Sequence, residues 1–209
     1  MIKRICFFST GFAFNRLVRM RFYEKILPKK VKLFLFTTNK DSNKWELERT
    51  KIIVQDYSLN LPVKFRKFCK KNKIDRTINI GNWMGCTILL FAFLTAGISY
   101  TMNIFGDIAV SRHSLKEKTL RKTLFYPLLL FSEKTIFNDL FYYKKYSKTF
   151  KNKIKYLPAT VDTTIFKPKN KFKIRKKLNL PIDKKIILFV GRVSFQKGSD
   201  ILIELIKSN

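Results

Sequence analysis

The residues whose types and spacing most directly suggest chemistry are Gly191-Arg192 and Lys197-Gly198, within the stretch GRVSFQKGSD that follows the apolar run IILFV. A glycine closing a strand-like run, an arginine beside it and a lysine-glycine pair a turn later have two readings. They form a loop that grips phosphate, or a tight turn carrying two solvated cations. A Walker loop is excluded by residue order: that motif ends glycine-lysine-serine/threonine, whereas here Lys197 precedes Gly198 and six residues separate the two glycines. Three further positions are candidates. Gly11 follows Ser9-Thr10 after the first apolar run and serves either a strand-to-helix turn or close backbone approach to an acceptor or a donor phosphate. Asp107 is either an acceptor-side polar group or a cap, and His113, the sole histidine, is either a catalyst or a surface residue. Cys6, Cys69 and Cys86 are odd in number and show no CxxC spacing, so neither a zinc site nor a disulfide framework is indicated and a reducing, cytoplasmic setting fits. No DxD motif is present.

The elements that must position these residues alternate. Residues 2–8 read as a buried strand, followed by a helix with Phe14, Leu17, Val18, Phe22 and Ile26 on one face, and by a strand over 31–38. The unit then repeats. Strands are expected at 51–57, 76–82 and 98–107, an amphipathic helix at 61–72 with Val63, Phe65, Phe68 and Cys69 inward, and an apolar helix from Trp83 to about Gly97. A basic helix over 114–126 precedes FYPLLLFSEKTIF, which is expected to mix a buried strand and a turn, and 153–162 carries a short strand. A lysine-rich, proline-punctuated stretch follows, then an expected buried strand over 184–193 and a helix DILIELIKSN. Strands alternating with helices imply an α/β fold with a parallel sheet. The expected organisation is a Rossmann-like domain over 1–165, a linker over 166–183, and the first strand, loop and helix of a second Rossmann domain over 184–209.

Composition bounds the partners. The 209 residues hold 44 Lys+Arg against 14 Asp+Glu, a net charge of +30, with 21 phenylalanines to fill a core. Such a surface attracts phosphate on nucleic acid, lipid headgroups or nucleotides. The cations are spread along the chain, as an AT-rich coding sequence would also give. The N-terminus has a basic start and an apolar patch broken at Ser9-Thr10-Gly11, which does not fit a signal peptide. Met84–Ile98 is apolar but shorter than the ~18–20 residues that span a bilayer as a helix, so a buried helix is expected.

Residues 156–209 carry a family resemblance. YLPATVDTTIFKP, then RKKLNLPIDKKIILFVGRVSFQKGSDILIELI, resembles the domain junction of glycosyltransferase family 4, the retaining sugar-nucleotide enzymes of GT-B architecture. Val161, Asp162, Phe166 and Pro168 match the family's turn, with Ala159 and Thr160 in place of its asparagine and glycine, and Gly191, Arg192, Lys197 and Gly198 match its second motif, spacing included. Upstream, Gly11 falls in the place of a glycine-rich loop and Gly106-Asp107 in the place of a histidine-containing turn, with Phe105 where the histidine would stand.

The resemblance implies a hexosyltransferase that moves a sugar from a nucleotide-diphosphate sugar to a glycan or lipid-linked acceptor. Arg192 and Lys197 would contact the diphosphate, and no metal or other cofactor would be needed where two cations and a helix N-terminus neutralise it. Asp107 and His113 stand as the candidate catalytic residues. The basic helix with Lys116, Lys118, Arg121 and Lys122 could face an anionic membrane, peripherally on its cytoplasmic side. The family's glutamate-x7-glutamate donor motif is absent from the sequence, so a truncated frame, a relic, or an enzyme completed by a second polypeptide is expected. The competing reading is a basic nucleic-acid-binding or membrane-associated accessory protein. Its nucleic-acid form is disfavoured by the parallel α/β order and the lack of a nucleic-acid motif, so no nucleic-acid partner is expected.

Overall fold

A computed structural model describes residues 3–10, 15–81, 83–104, 115–158, 163, 166–191, 193–194 and 197–208. The chain divides into two compact units, 1–160 and 161–209.

The first unit is built on seven strands: β1 Arg4–Ser9, β2 Lys32–Thr37, β3 Thr50–Val54, β4 Arg76–Asn79, β5 Ser99–Ile104, β6 Lys134–Phe137 and β7 Ile154–Tyr156. They form one sheet in the order β3-β2-β1-β4-β5-β6-β7, with each neighbouring pair parallel. Parallel strands need covered faces, which is why the central four residues of RICFFS and of KLFLFT are all apolar. Alternate residues serve the two faces. Cys6, Phe8, Phe34, Phe36, Met102 and Phe137 enter one core, and Phe7, Leu33, Leu35 and Ile80 enter the other. The larger core lies under α2 Leu61–Lys71, α3 Trp83–Ala96, α4 Leu115–Phe131 and α5 Leu140–Ser147, and the smaller one under α1 Asn15–Ile26.

Four expectations are corrected. In α1, Val18, Phe22 and Ile26 are exposed, and the buried row is Met20 and Glu24 with Tyr23 and Leu27 beside it. The helix carries two apolar rows, and the inward one is selected by Glu24. Its carboxylate accepts hydrogen bonds from Glu48 N (3.2 Å), Arg49 N (2.9 Å) and Thr50 Oγ1 (2.6 Å), so a charge on the core side is fully satisfied. In α2, Leu61, Phe65 and Cys69 are buried while Val63 is exposed. The α4 helix does not give way to a strand at FYPLLLF but runs through Pro127 to Phe131. Pro127 removes one helical donor, but Phe125, Leu128 and Leu129 all bury against the sheet and Tyr100 Oη donates to Leu128 O at 2.8 Å. Helix α3 is buried on one side only: Trp83, Cys86, Leu89 and Phe93 face the core, whereas Met84, Phe91 and Leu94 are exposed.

The second unit holds α6 Lys171–Lys177 and α7 Ser199–Lys207. Arg175 Nη1 donates to the carbonyls of Pro181, Ile182 and Lys184, pinning the turn after α6. The strand expected over 184–193 is not realised as a buried strand. Residues 185–190 have no ladder partner among the described residues, and Ile187, Leu188 and Val190 are about four-fifths exposed (79%, 79% and 83%). A strand has no stable hydrogen-bonding of its own without a neighbour, so the apolar run stays open.

Candidate functional site

Chemistry-bearing groups gather at two places, one in each unit. The first is the carboxyl edge of the sheet between β1 and β4. There the strand order reverses: β1 leads into α1 on one face and β4 into α3 on the other. Such a switch point is the usual ligand position in open α/β sheets. The strand ends here are polar inside an otherwise apolar sheet. Asn79 is fully buried and Asn103 almost so; Asn103 Nδ2 donates to Asn79 O at 2.9 Å and Asn79 Nδ2 to Cys86 Sγ at 3.1 Å. Arg19 Nη1 donates to Ile80 O at 3.2 Å, and burial lowers the guanidinium's pKa from its ordinary value. Tyr23 stacks on Phe7 with ring centroids 4.6 Å apart. Burial raises its phenol pKa, opposed by the Arg19 charge and a hydrogen bond with Asn103. Ser9 Oγ is buried with no hydrogen-bond partner among the described residues. A Cβ added to Gly85 would stand 2.2 Å from Thr10 Oγ1, so the first turn of α3 approaches the end of β1 as closely as glycine permits.

The second place is the loop before α7. Gly198 is the N-cap of α7, in the left-handed region at φ 72, and Leu202 N donates to Gly198 O at 3.1 Å to open the helix. Lys197 N donates to Ser194 O at 2.9 Å, folding the loop back. The loop thereby brings Lys197 over Gly191: a Cβ on Gly191 would lie 3.7 Å from Lys197 Cγ. Lys197 is exposed, while Ser194 Oγ is buried and has no partner among the described residues. An exposed ammonium beside a helix N-terminus forms an arrangement that suits an anion.

Of the residues singled out from sequence, Gly191, Lys197 and Gly198 thus stand together. Arg192, Gly11, Asp107 and His113 lie outside the described residues, as does the Lys118 side chain. Lys116 and Lys122 are exposed on α4 and Arg121 is half-buried. Sequence reasoning missed Ser9, Arg19, Tyr23, Asn79 and Asn103. The available signal was the pair of asparagines interrupting apolar strands in TINIGN and TMNIF, since a buried amide persists only where it is hydrogen-bonded. Among the described residues no group of three His, Cys, Asp or Glu is placed to hold a metal ion, and no helix is long and apolar enough to cross a membrane.

The fold is a Rossmann-like α/β architecture, a parallel sheet flanked by helices. The chain is similar to Anabaena Alr3699/HepE solved in complex with UDP-glucose, with a TM-score of 0.72 at 14% identity, covering 98% of this chain and 57% of that one. A second HepE structure, in complex with UDP, gives a TM-score of 0.67. The S. aureus MnaA–UDP structure gives 0.52 at 12% identity, over 73% of this chain and 42% of that one. The resemblance to glycosyltransferase family 4 has a counterpart in sequence: 52 residues are 42% identical to the D-inositol 3-phosphate glycosyltransferase of Acidothermus cellulolyticus, 25% of this chain and 12% of that protein. No protein-family model matches. The chain spans 57% of the length of the HepE chain.

Proposed function

We propose that the chain is the acceptor-side domain and first donor-side segment of a retaining glycosyltransferase, which passes a sugar from a nucleotide-diphosphate sugar to a glycan or lipid-linked acceptor. The carrying observation is the loop that folds Lys197 over Gly191 at the N-terminus of α7. Lys197 and Arg192 bind the diphosphate and stabilise the charge that develops on it as the sugar leaves. The α7 N-terminus adds the positive end of its dipole, and no metal is required. The acceptor's hydroxyls are met at the β1/β4 switch point of the sheet, the usual ligand position in open α/β folds. The unpaired 185–190 run and the outer face of α7, with Ile201 and Ile206 exposed, call for further strands from the same polypeptide or a second one. The basic outer surface allows peripheral contact with an anionic membrane on its cytoplasmic side.

Calorimetric titration of the chain with nucleotide-diphosphate sugars, beginning with UDP-glucose, tests this reading. Saturable binding that UMP does not reproduce is expected. Lys197→Ala should weaken it about tenfold or more, since a hydrogen bond to a charged group contributes roughly 1.5–3 kcal/mol. If no sugar nucleotide binds while duplex DNA binds with a steep salt dependence, the nucleic-acid reading replaces this one.

A further inference from the structure

Helix α3 is the anomaly of the surface. Its 14 residues, WMGCTILLFAFLTA, contain no charge, yet it lies on the outside of the sheet with Met84 42%, Phe91 59% and Leu94 50% exposed. A helix apolar all round is ordinarily buried on every side. Here the sheet and the neighbouring helices α2 and α4 cover only one side of it. The flanking helices have one sign. α2 carries five cations and no acid, its exposed Lys64 and Lys67 among them, and Glu117 is the one acidic residue of α4 against four cations. An apolar row bordered on both sides by lysine, with almost no carboxylate, repels a basic partner and leaves an acidic protein nothing to match along its centre. It matches a bilayer surface, where anionic headgroups meet the lysines and the acyl boundary receives the apolar row.

We propose that α3 lies flat in the surface of an anionic membrane, with Phe91 and Leu94 inserted at the acyl boundary and the lysines of α2 and α4 on the headgroups. At 14 residues it is short of the ~20 that span a bilayer, so it is an interfacial helix and not a crossing one. This deepens the peripheral contact within the proposed function and replaces charge alone with insertion at a defined helix. An acceptor carried on a lipid would then be met at the surface where it resides.

The three native cysteines are buried, so an environment-sensitive NBD label can be placed on a single new thiol in the full-length chain. Phe91→Cys reports on α3, and Phe22→Cys reports on the exposed face of α1, across the sheet. With vesicles of phosphatidylcholine and phosphatidylglycerol at physiological salt and no nucleotide present, the label at 91 should brighten and shift to the blue, while the label at 22 should not. Phe91→Ser should lower vesicle partitioning about tenfold or more, from the lost apolar burial. Lys67→Glu should lower it about fivefold or more, from roughly 1 kcal/mol per cation at the surface. Three outcomes overturn the proposal: no binding to the anionic vesicles, binding without a change at 91, or a label at 91 already bright without lipid in a dimeric chain. None of these touches the sugar-nucleotide titration, so the two proposals fail separately.

Discussion

At the scale of single residues, the two candidate places differ in how far a sequence exposes them. Gly191, Lys197 and Gly198 were legible because they are local: one loop brings them together, and their spacing survives in the linear text. Ser9, Asn79, Asn103 and Tyr23 were not, because they meet only after β1, β4 and β5 are placed side by side. Nothing in a one-dimensional pattern marks which strand ends will be neighbours. Gly85 is the sharpest case, since in sequence it is an unremarked glycine in an apolar helix. In the fold, a side chain there meets Thr10 Oγ1 at 2.2 Å and the Thr10 carbons at 3.2 and 3.3 Å, so rotating the hydroxyl does not clear the space. Gly85→Ala should therefore destabilise the chain by about 1 kcal/mol. Overpacking costs roughly 1–3 kcal/mol, and the gain of about 1 kcal/mol that alanine brings to a helix interior partly offsets it. Urea denaturation followed by circular dichroism checks the sign; a more stable variant would mean that the end of β1 yields.

At the scale of elements, apolar runs located the strands of the sheet apart from β6, which was expected only somewhere within FYPLLLFSEKTIF, because buried parallel strands write a nearly continuous hydrophobic signal. The helices were read less well where two faces compete. In α1 the Val18-Phe22-Ile26 row is as apolar as the buried one, and the choice is made by Glu24, whose acceptors are filled from the segment before β3. In α4 the helix was expected to end at 126, but it continues through Pro127, where the burial of Phe125 and Leu128 outweighs one lost helical bond. The Glu24 reading is testable. Glu24→Ala removes the acceptor of two backbone N–H groups and one hydroxyl, leaving them without partners. A loss of about 2–4 kcal/mol is expected, beyond the ~1 kcal/mol typical of point changes. Glu24→Gln keeps one carbonyl oxygen and should cost less. Equal losses in the two variants, measured from urea midpoints, would show that the three hydrogen bonds are not what orients the helix.

At the scale of the whole molecule, the excess of cations and the burial of weak acids act on stability in the same alkaline range but with opposite sign. Burial raises the thiol pKa values of Cys6 and Cys86 and pushes Cys69 up to about 12; it raises the phenol of Tyr100 and pushes Tyr146 up to about 12. Each of these groups is neutral when protonated, and its folded pKa lies above the unfolded one. Its contribution is therefore fully present below the unfolded values of 9.0 for cysteine and 10.0 for tyrosine, and is lost as pH rises toward about 12. Over the same interval lysines, with an ordinary pKa near ~10.4, lose charge and relieve the self-repulsion of a +30 surface. The net curve cannot separate the two, but a variant can. Tyr146→Phe keeps the ring stacked on Phe137 at a centroid distance of 5.8 Å and removes only the ionising hydroxyl. Its urea midpoint should track the unmodified chain up to about pH 9 and then fall less steeply between pH 10 and 12. Parallel curves across that window would mean that the Tyr146 hydroxyl does not ionise on unfolding, and that the alkaline slope belongs to the thiols and Tyr100.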